Sequence, residues 1–365
     1  MEQPYTLHVG AATCLPSAQS QELLLTVPDV EGAYSIPYIQ SASRLDLRIE
    51  FHDPNLQMVR LTLEKAGERI ESATLRREQP TFRSSDLSQG EYALDLRGTD
   101  SGGRESTATR IEPIGIGSVI AAIGDSITEG YFGAACHRED LNLSATQFPP
   151  EDVSKDRRNF PQFAPTTSVH WPEINCMRSW MTDLNDLLTE SLGQPVFIAN
   201  EGLGGYQTSG YLKVMREDRN WRERMQLLKP NIWLVHLGVN DERARRNPEE
   251  VKKDLRSIVD ILVDRHRAEP SRILLARPCF DYAEGAEPVL RAYCKAIEDL
   301  VEECGLSRGP DFFDAYSRDK EKLYGEDPVH PNQEGMRLMA RLWHDAVIRG
   351  LGARVPLQAE VREDP

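Results

Sequence analysis

Paired cysteines are missing from this sequence. Cys14, Cys136, Cys176, Cys279, Cys294 and Cys304 are scattered with no C-x-x-C pair, which excludes a thiolate zinc motif and a dense disulfide scaffold. Cys279, within RILLARPCF, reads as a small buried hydrophobe. Long apolar runs are missing too. No stretch approaches the roughly twenty apolar residues of a spanning helix, so no membrane span is expected. Positive charge is scarce: 43 Lys and Arg against 58 Asp and Glu give a formal net charge of −15. That balance excludes a nucleic-acid partner, which needs clustered cations, and disfavours anionic membranes. The first twenty residues, MEQPYTLHVGAATCLPSAQS, lack a basic n-region and an apolar h-region. The expected location is therefore the cytoplasm; a chain read from beyond a cleaved leader would look the same and would be exported.

What is present is the composition of an ordinary globular protein, 39% apolar and 28% charged. The length points to two domains. The first third alternates with period two: in RLDLRIEF, Leu45, Leu47, Ile49 and Phe51 point one way and charged residues the other. QELLLTV, QMVRLTLEKA, RIESATLRRE and EYALDLRGTD carry similar patterns, separated by Asp53-Pro54, Ser88-Gln89-Gly90 and Asp100-Ser101-Gly102-Gly103. Residues 1–113 are therefore expected to form an antiparallel β-sandwich of about seven strands, immunoglobulin- or fibronectin-like in its last hairpin.

The rhythm changes near Pro113. Apolar runs at 118–124, 195–202, 231–238, 272–278 and 311–317 alternate with helical spacing at 172–192, 208–228, 248–267, 286–304 and 332–350. Strand then helix, repeated, predicts an α/β domain over 114–352, a doubly wound, flavodoxin-like parallel sheet with helices on both faces. Residues 134–170 break the pattern with four prolines and little periodicity, as lids and binding loops do. Residues 353–365 read as a polar tail.

Ligands of open parallel sheets sit beyond the carboxyl ends of the strands, and four stretches fall there. Gly124-Asp125-Ser126-Ile127 follows the first strand, Gly202-Leu203-Gly204-Gly205 the second and Gly238-Val239-Asn240-Asp241 the third. Asp327-Pro328-Val329-His330 precedes the last helix. In this order they resemble the sequence blocks of the SGNH (GDSL-type) hydrolases. The resemblance runs from about residue 118 to 350 and leaves the N-terminal third outside. It implies that Ser126 is a nucleophile, His330 its base and Asp327 the partner of that base. By the same resemblance the backbone N–H of Ser126, Gly205 and the Asn240 amide form an oxyanion hole. Asn200, Gly202 and Gly205 fit the family's N-x-G-x-x-G, but the pair Gly204-Gly205 stands where Ser-Gly-Asp is common, so Gly204 stays an alternative.

The residue types suit that chemistry on their own terms. A serine hydroxyl needs a base within hydrogen-bond reach, and the base needs an acceptor on its other ring nitrogen. Asp327 and His330, three apart in a turn before a helix, supply both from one segment. Backbone N–H groups and an amide can stabilise a developing oxyanion. Asp125, Tyr206 and Asp241 flank these groups and are expected at the substrate. The G-x-S-x-G elbow of α/β-hydrolases is absent. No metal-ligand cluster and no cofactor motif is found.

Structural uses compete with these. Ser126, Asp125, Asn240 and Asp241 can cap helices, as can Asn332. His236 reads as a satisfied core histidine, and His137 and His170 as surface residues of the insertion. The run Glu242–Arg246 reads as a solvated helix start. The functional expectation is a serine esterase acting on short-acyl, chiefly acetyl, esters of carbohydrate. Its alternatives are an acyltransferase, a lysophospholipase or thioesterase, and an inert glycan-binding protein. Expected partners are a small-molecule or glycan ester and, if the N-terminal module drives assembly, a second copy of the chain.

Overall fold

The computed structural model describes residues 4–9, 12–14, 24–26, 33–35, 38–106, 108–130, 180–324 and 328–352. The insertion 134–170, the tail 353–365, Asp327, His137, His170, Cys136 and Cys176 lie outside the described residues. Eleven described strands come first. They are β1 (Tyr5–Val9), β2 (Ala12–Cys14), β3 (Leu24–Thr26), β4 (Ala33–Ser35), β5 (Tyr38–Gln40) and β6 (Asp46–Phe51). β7 (Leu56–Lys65), β8 (Glu68–Arg76), β9 (Thr81–Arg83), β10 (Gly90–Asp100) and β11 (Thr109–Ile116) follow. They form two sheets, ordered β4-β3-β2-β1-β6-β9 and β5-β11-β10-β7-β8. All neighbours are antiparallel except β5 and β11.

Alternation drives this region. In β6, Leu47 and Ile49 are buried while Asp46, Arg48 and Glu50 are exposed. They meet Val59, Leu61 and Leu94 of the other sheet in one core, where each fully buried leucine-sized side chain contributes about 1.5–3 kcal/mol. Backbone bonds lead into the next region, from Gly117 N to Gln40 O (3.0 Å) and from Ser118 N to Pro195 O (3.0 Å).

The second region is a parallel sheet of β12 (Ser118–Gly124), β13 (Val196–Gly202), β14 (Ile232–His236), β15 (Ile273–Arg277) and β16 (Ser307–Asp311). Its spatial order is β13-β12-β14-β15-β16, the flavodoxin-like doubly wound arrangement. The described helices are α1 (Ser126–Glu129), α2 (Trp180–Leu192), α3 (Thr208–Glu217), α4 (Arg219–Leu228) and α5 (Val239–Arg243). They continue with α6 (Pro248–His266), α7 (Ala286–Cys304), α8 (Phe312–Ser317), α9 (Lys320–Leu323) and α10 (Gln333–Gly350). In β12, Val119, Ala121 and Ile123 face one core with α3, α4, α6 and α7. Ile120 and Ala122 face the other, with α1, α2, α8 and α10. Burial on both faces is why these strands read as continuous apolar runs. Among the described residues no helix is long and apolar enough to cross a membrane.

Three expectations differ. The first region holds eleven described strands where about seven are expected, and β2–β5 and β9 are only three residues long. Within it β5 runs parallel to β11, where antiparallel pairing is expected. The strand expected at 311–317 is β16 followed by helix α8, because the Asp311 side chain accepts the Asp314 N–H (3.0 Å) and starts a helix. Phe312, Phe313 and Tyr316 then fall on its buried face. The helix expected over 208–228 divides at Asp218, whose backbone N–H bonds Val214 O and whose carboxylate accepts the Trp221 N–H (2.7 Å).

Candidate active site

Gly124, at the end of β12, pairs with Gly202 of β13 on one side and His236 of β14 on the other. The segments that follow these three strands therefore leave the sheet at one edge. After Gly124 the chain makes a single helical turn, with Glu129 N bonding Asp125 O (2.9 Å) and Gly130 N bonding Ser126 O (3.1 Å). Asp125 Oδ1 accepts the Ile127 N–H (3.0 Å). Ser126 is thereby fixed at the start of the turn, where backbone N–H groups have no intrahelical acceptor.

Ser126 Oγ lies 2.8 Å from His330 Nε2. The segment carrying His330 is anchored by Asn332. Its Nδ2 donates to Lys322 O (2.9 Å) and Tyr324 O (3.2 Å), and its Oδ1 accepts the Gly335 N–H (3.0 Å) that starts α10. Tyr324 also bridges Pro331. Asn332 thus caps a helix, as expected.

The glycine block makes a tight turn, with Tyr206 N donating to Leu203 O (3.2 Å). Gly205 takes a φ of 78° at its third position, a conformation glycine adopts without strain. Leu203 N donates to Gly124 O (3.0 Å), tying the turn to β12. Asn240 Nδ2 donates to Tyr206 O (3.2 Å), so the third block holds the second. Tyr206 itself is exposed at 36%; apart from Ile70 at 44%, no other described large hydrophobic side chain is as open.

Two expected substrate contacts point inward instead. Asp125 is 1% exposed and serves the backbone of α1. Asp241 is fully buried and accepts the Thr208 N–H (2.9 Å), the Thr208 hydroxyl (2.7 Å) and Arg246 Nη1 (2.7 Å). Gln207 gives α3 no side-chain cap, so Asp241 supplies one from a different segment. The run Glu242–Arg246 is solvated in its middle, where Arg243, Ala244 and Arg245 are exposed, but not at its ends. Glu242 is buried, and Arg246 bridges Asp241 and Asp254 (2.9 Å).

His236 is buried without the partners expected of it. Neither ring nitrogen finds one among the described residues, and burial lowers its pKa to about 3, keeping the ring neutral against Phe312. Burial raises the Cys279 thiol well above its ordinary value, consistent with an inert core cysteine. Burial also raises Asp125 to about 7, against the Ile127 N–H that lowers it, with Asp241 adding repulsion. Glu129, 4% exposed, rises to about 7 for the same first cause; the Gly204 N–H opposes the rise and the Asp125 charge adds to it. Glu129 was missed in the sequence. Its signal is an acidic residue three past Ser126 in a turn too short to have a solvent face.

A hydroxyl bonded to an imidazole at the carboxyl edge of a parallel sheet is an arrangement that serves serine hydrolases. The chain belongs to the GDSL-like lipase/acylhydrolase family, whose model matches residues 122–338, more than half of its length. It is a hydrolase of that family. Among solved structures it is similar to a lipase/acylhydrolase from Enterococcus faecalis, at 18% identity and a TM-score of 0.43, covering 64% of this chain and 97% of that one. It is also similar to an acetyl xylan esterase from Geobacillus stearothermophilus, at 17% identity and a TM-score of 0.41, covering 66% and 97%. No curated protein matches its sequence.

Proposed function

We propose that this hydrolase is a serine esterase that removes short acyl groups, chiefly acetyl, from carbohydrate. The observation that carries the esterase reading is the 2.8 Å contact between Ser126 Oγ and His330 Nε2. Ser126 Oγ attacks the ester carbonyl as His330 Nε2 takes its proton. Charge on the carbonyl oxygen is met by the Ser126 N–H, the Gly205 N–H and Asn240 Nδ2. The intermediate collapses as His330 returns the proton to the leaving alcohol. Water, deprotonated by His330, then releases the carboxylic acid from Ser126. In this reading Asp327 accepts the proton-bearing Nδ1 of His330 and fixes its tautomer.

The carbohydrate assignment is supported by Tyr206, an open aromatic ring on the turn that carries Gly205. It is supported also by the polar, aromatic-flanked sequence of the insertion 134–170, which suits a hydrated substrate better than an acyl chain. The test compares acetylated xylo-oligosaccharides with 4-nitrophenyl acetate, butyrate and octanoate. Rates that fall with acyl length and saturate with the sugar ester support the assignment. Equal kcat/KM on sugar and aryl acetates, without saturation by the sugar, would sink it.

A further inference from the structure

Three arginines follow Asn240 within six residues, and two of them are spent inside the protein. Arg246 bridges Asp241 and Asp254. Arg245 gives Nη1 to Gly285 O (2.8 Å) and Nη2 to Glu284 O (3.2 Å). Arg243 differs. Its side chain is 45% exposed, its Nε lies 3.3 Å from Oδ2 of the fully buried Asp281, and neither Nη has a partner among the described residues. Asp281 is itself fixed, because its Oδ1 accepts the Ala283 N–H (2.8 Å). Asn240 and Arg243 stand three apart on the short helix α5 and so share a face, with Cβ atoms about 5–6 Å apart. On its other side Arg243 meets the loop after β15, where Tyr282 N donates to Pro328 O (3.4 Å), two residues before His330. The guanidinium therefore lies between the segment of the expected oxyanion donor and the segment of the base.

We infer that Arg243 is a specificity residue that takes the carboxylate of an acidic sugar, so that the substrate is an acetylated uronic acid unit of a glycan. The inference rests on the carbohydrate esterase reading and narrows its substrate. The two Nη groups of a guanidinium match a carboxylate in a planar, bidentate pair. An unrestrained surface arginine loses rotamer freedom when it takes such a partner. Here the buried Asp281 carboxylate already restrains the side chain at Nε, which lowers that cost. The formal net charge of −15 repels an anion from the molecule as a whole, so recognition of an acidic sugar depends on a local cation held in place. The acyl group is short in this reading, which puts the carboxylate on the sugar, one ring away from the ester.

The experiment measures kcat/KM on methyl glucuronoside and methyl glucoside acetylated at the same position, which differ only in a carboxylate against a hydroxymethyl group. In the wild type the glucuronoside is expected to lead by about 10-fold, and the lead to shrink at about 0.5 M salt. Arg243→Gln brings the ratio of the two substrates to about one. Arg243→Lys keeps the charge without the planar fork and gives an intermediate ratio. Asp281→Asn keeps an acceptor for the Ala283 N–H but loses the charge that holds Arg243, and lowers the ratio through KM. A general loss of structure or turnover cancels in this ratio. Arg243→Lys and Asp281→Asn carry the comparison if Arg243→Gln fails to fold. A wild-type ratio of about one overturns the inference, as does a wild-type ratio retained in the Arg243 variants. Two controls separate it from the reading on which it rests. Activity persisting in Ser126→Ala sinks the esterase reading itself, and activity on 4-nitrophenyl acetate with none on either sugar sinks the carbohydrate assignment. A Ser126-dependent activity on both sugars at a ratio of about one sinks only the role of Arg243.

Discussion

Ser126 Oγ and His330 Nε2 stand 2.8 Å apart although 204 residues separate them in the chain. Two independent anchors hold that distance, the Asp125 cap on one side and the Asn332 clamp on the other. Removing the hydroxyl leaves both anchors in place. Ser126→Ala is therefore expected to fold with an unchanged melting temperature and to lose at least about 10,000-fold in kcat. Residual activity near wild type in a p-nitrophenyl ester assay would remove Ser126 from the reaction.

The buried acids behind this pair give stability a distinctive pH dependence. Asp125 has its folded pKa raised from 3.8 to about 7, chiefly by burial. Below its unfolded value both states hold the proton, and the contribution is fully present. As pH rises from about 4 the unfolded chain ionises while the folded one stays protonated, so stability falls, by up to about 1.4 kcal/mol per pH unit, until about pH 7. Asp125→Asn keeps the acceptor for the Ile127 N–H and cannot ionise. Urea midpoints taken from pH 4 to 7 are expected to move in favour of the variant as pH rises. A difference constant with pH would show that Asp125 is ionised throughout.

What was legible in the sequence follows from how local each signal is. The strand β12 and the turn at Ser126 could be read from an apolar run ending in Gly-Asp-Ser, and Asn332 from its place before a periodic helix. The helical fate of Phe312–Ser317 was not legible, because Phe312, Phe313 and Tyr316 fit a short strand until the Asp311 cap is seen. The inward turn of Asp125 and Asp241 was hidden for another reason. Both stand beside chemical residues in the chain, but the partner that claims the Asp241 carboxylate, Thr208, is 33 residues away. Glu129 was overlooked because an acidic residue gives no sign in the sequence that it is buried at the end of the Ser126 turn.

Asp241 tests that correction directly. Its carboxylate satisfies the first turn of α3 and neutralises Arg246 in the interior. Asp241→Ala leaves the buried Thr208 N–H without its acceptor and strips Arg246 of one of its carboxylate partners, and is expected to cost about 3 kcal/mol in urea denaturation. KM for 4-nitrophenyl acetate in the folded fraction should stay within about threefold, since uniform substrate contacts are not lost. A stable variant with a strongly raised KM would return Asp241 to the substrate.

Tyr206 carries the opposite expectation. Its carbonyl is held by Asn240 Nδ2, and its ring lies against Gly210, where an added Cβ would come within 3.3 Å of Cδ1. One part of the ring is thus supported by α3 while much of the rest stays open. A flat apolar surface held rigidly beside Gly205 can stack on the face of a sugar ring, a contact of about 0.5–1.5 kcal/mol by analogy with aromatic pairs. Tyr206→Ala should therefore raise KM for acetylated xylo-oligosaccharides by about 3- to 10-fold and leave kcat/KM for 4-nitrophenyl acetate within about twofold. Tyr206→Phe keeps the face and should match wild type on both substrates. If alanine impairs the two esters equally, the ring supports the Gly205 turn instead of the sugar, and the carbohydrate assignment loses its structural footing.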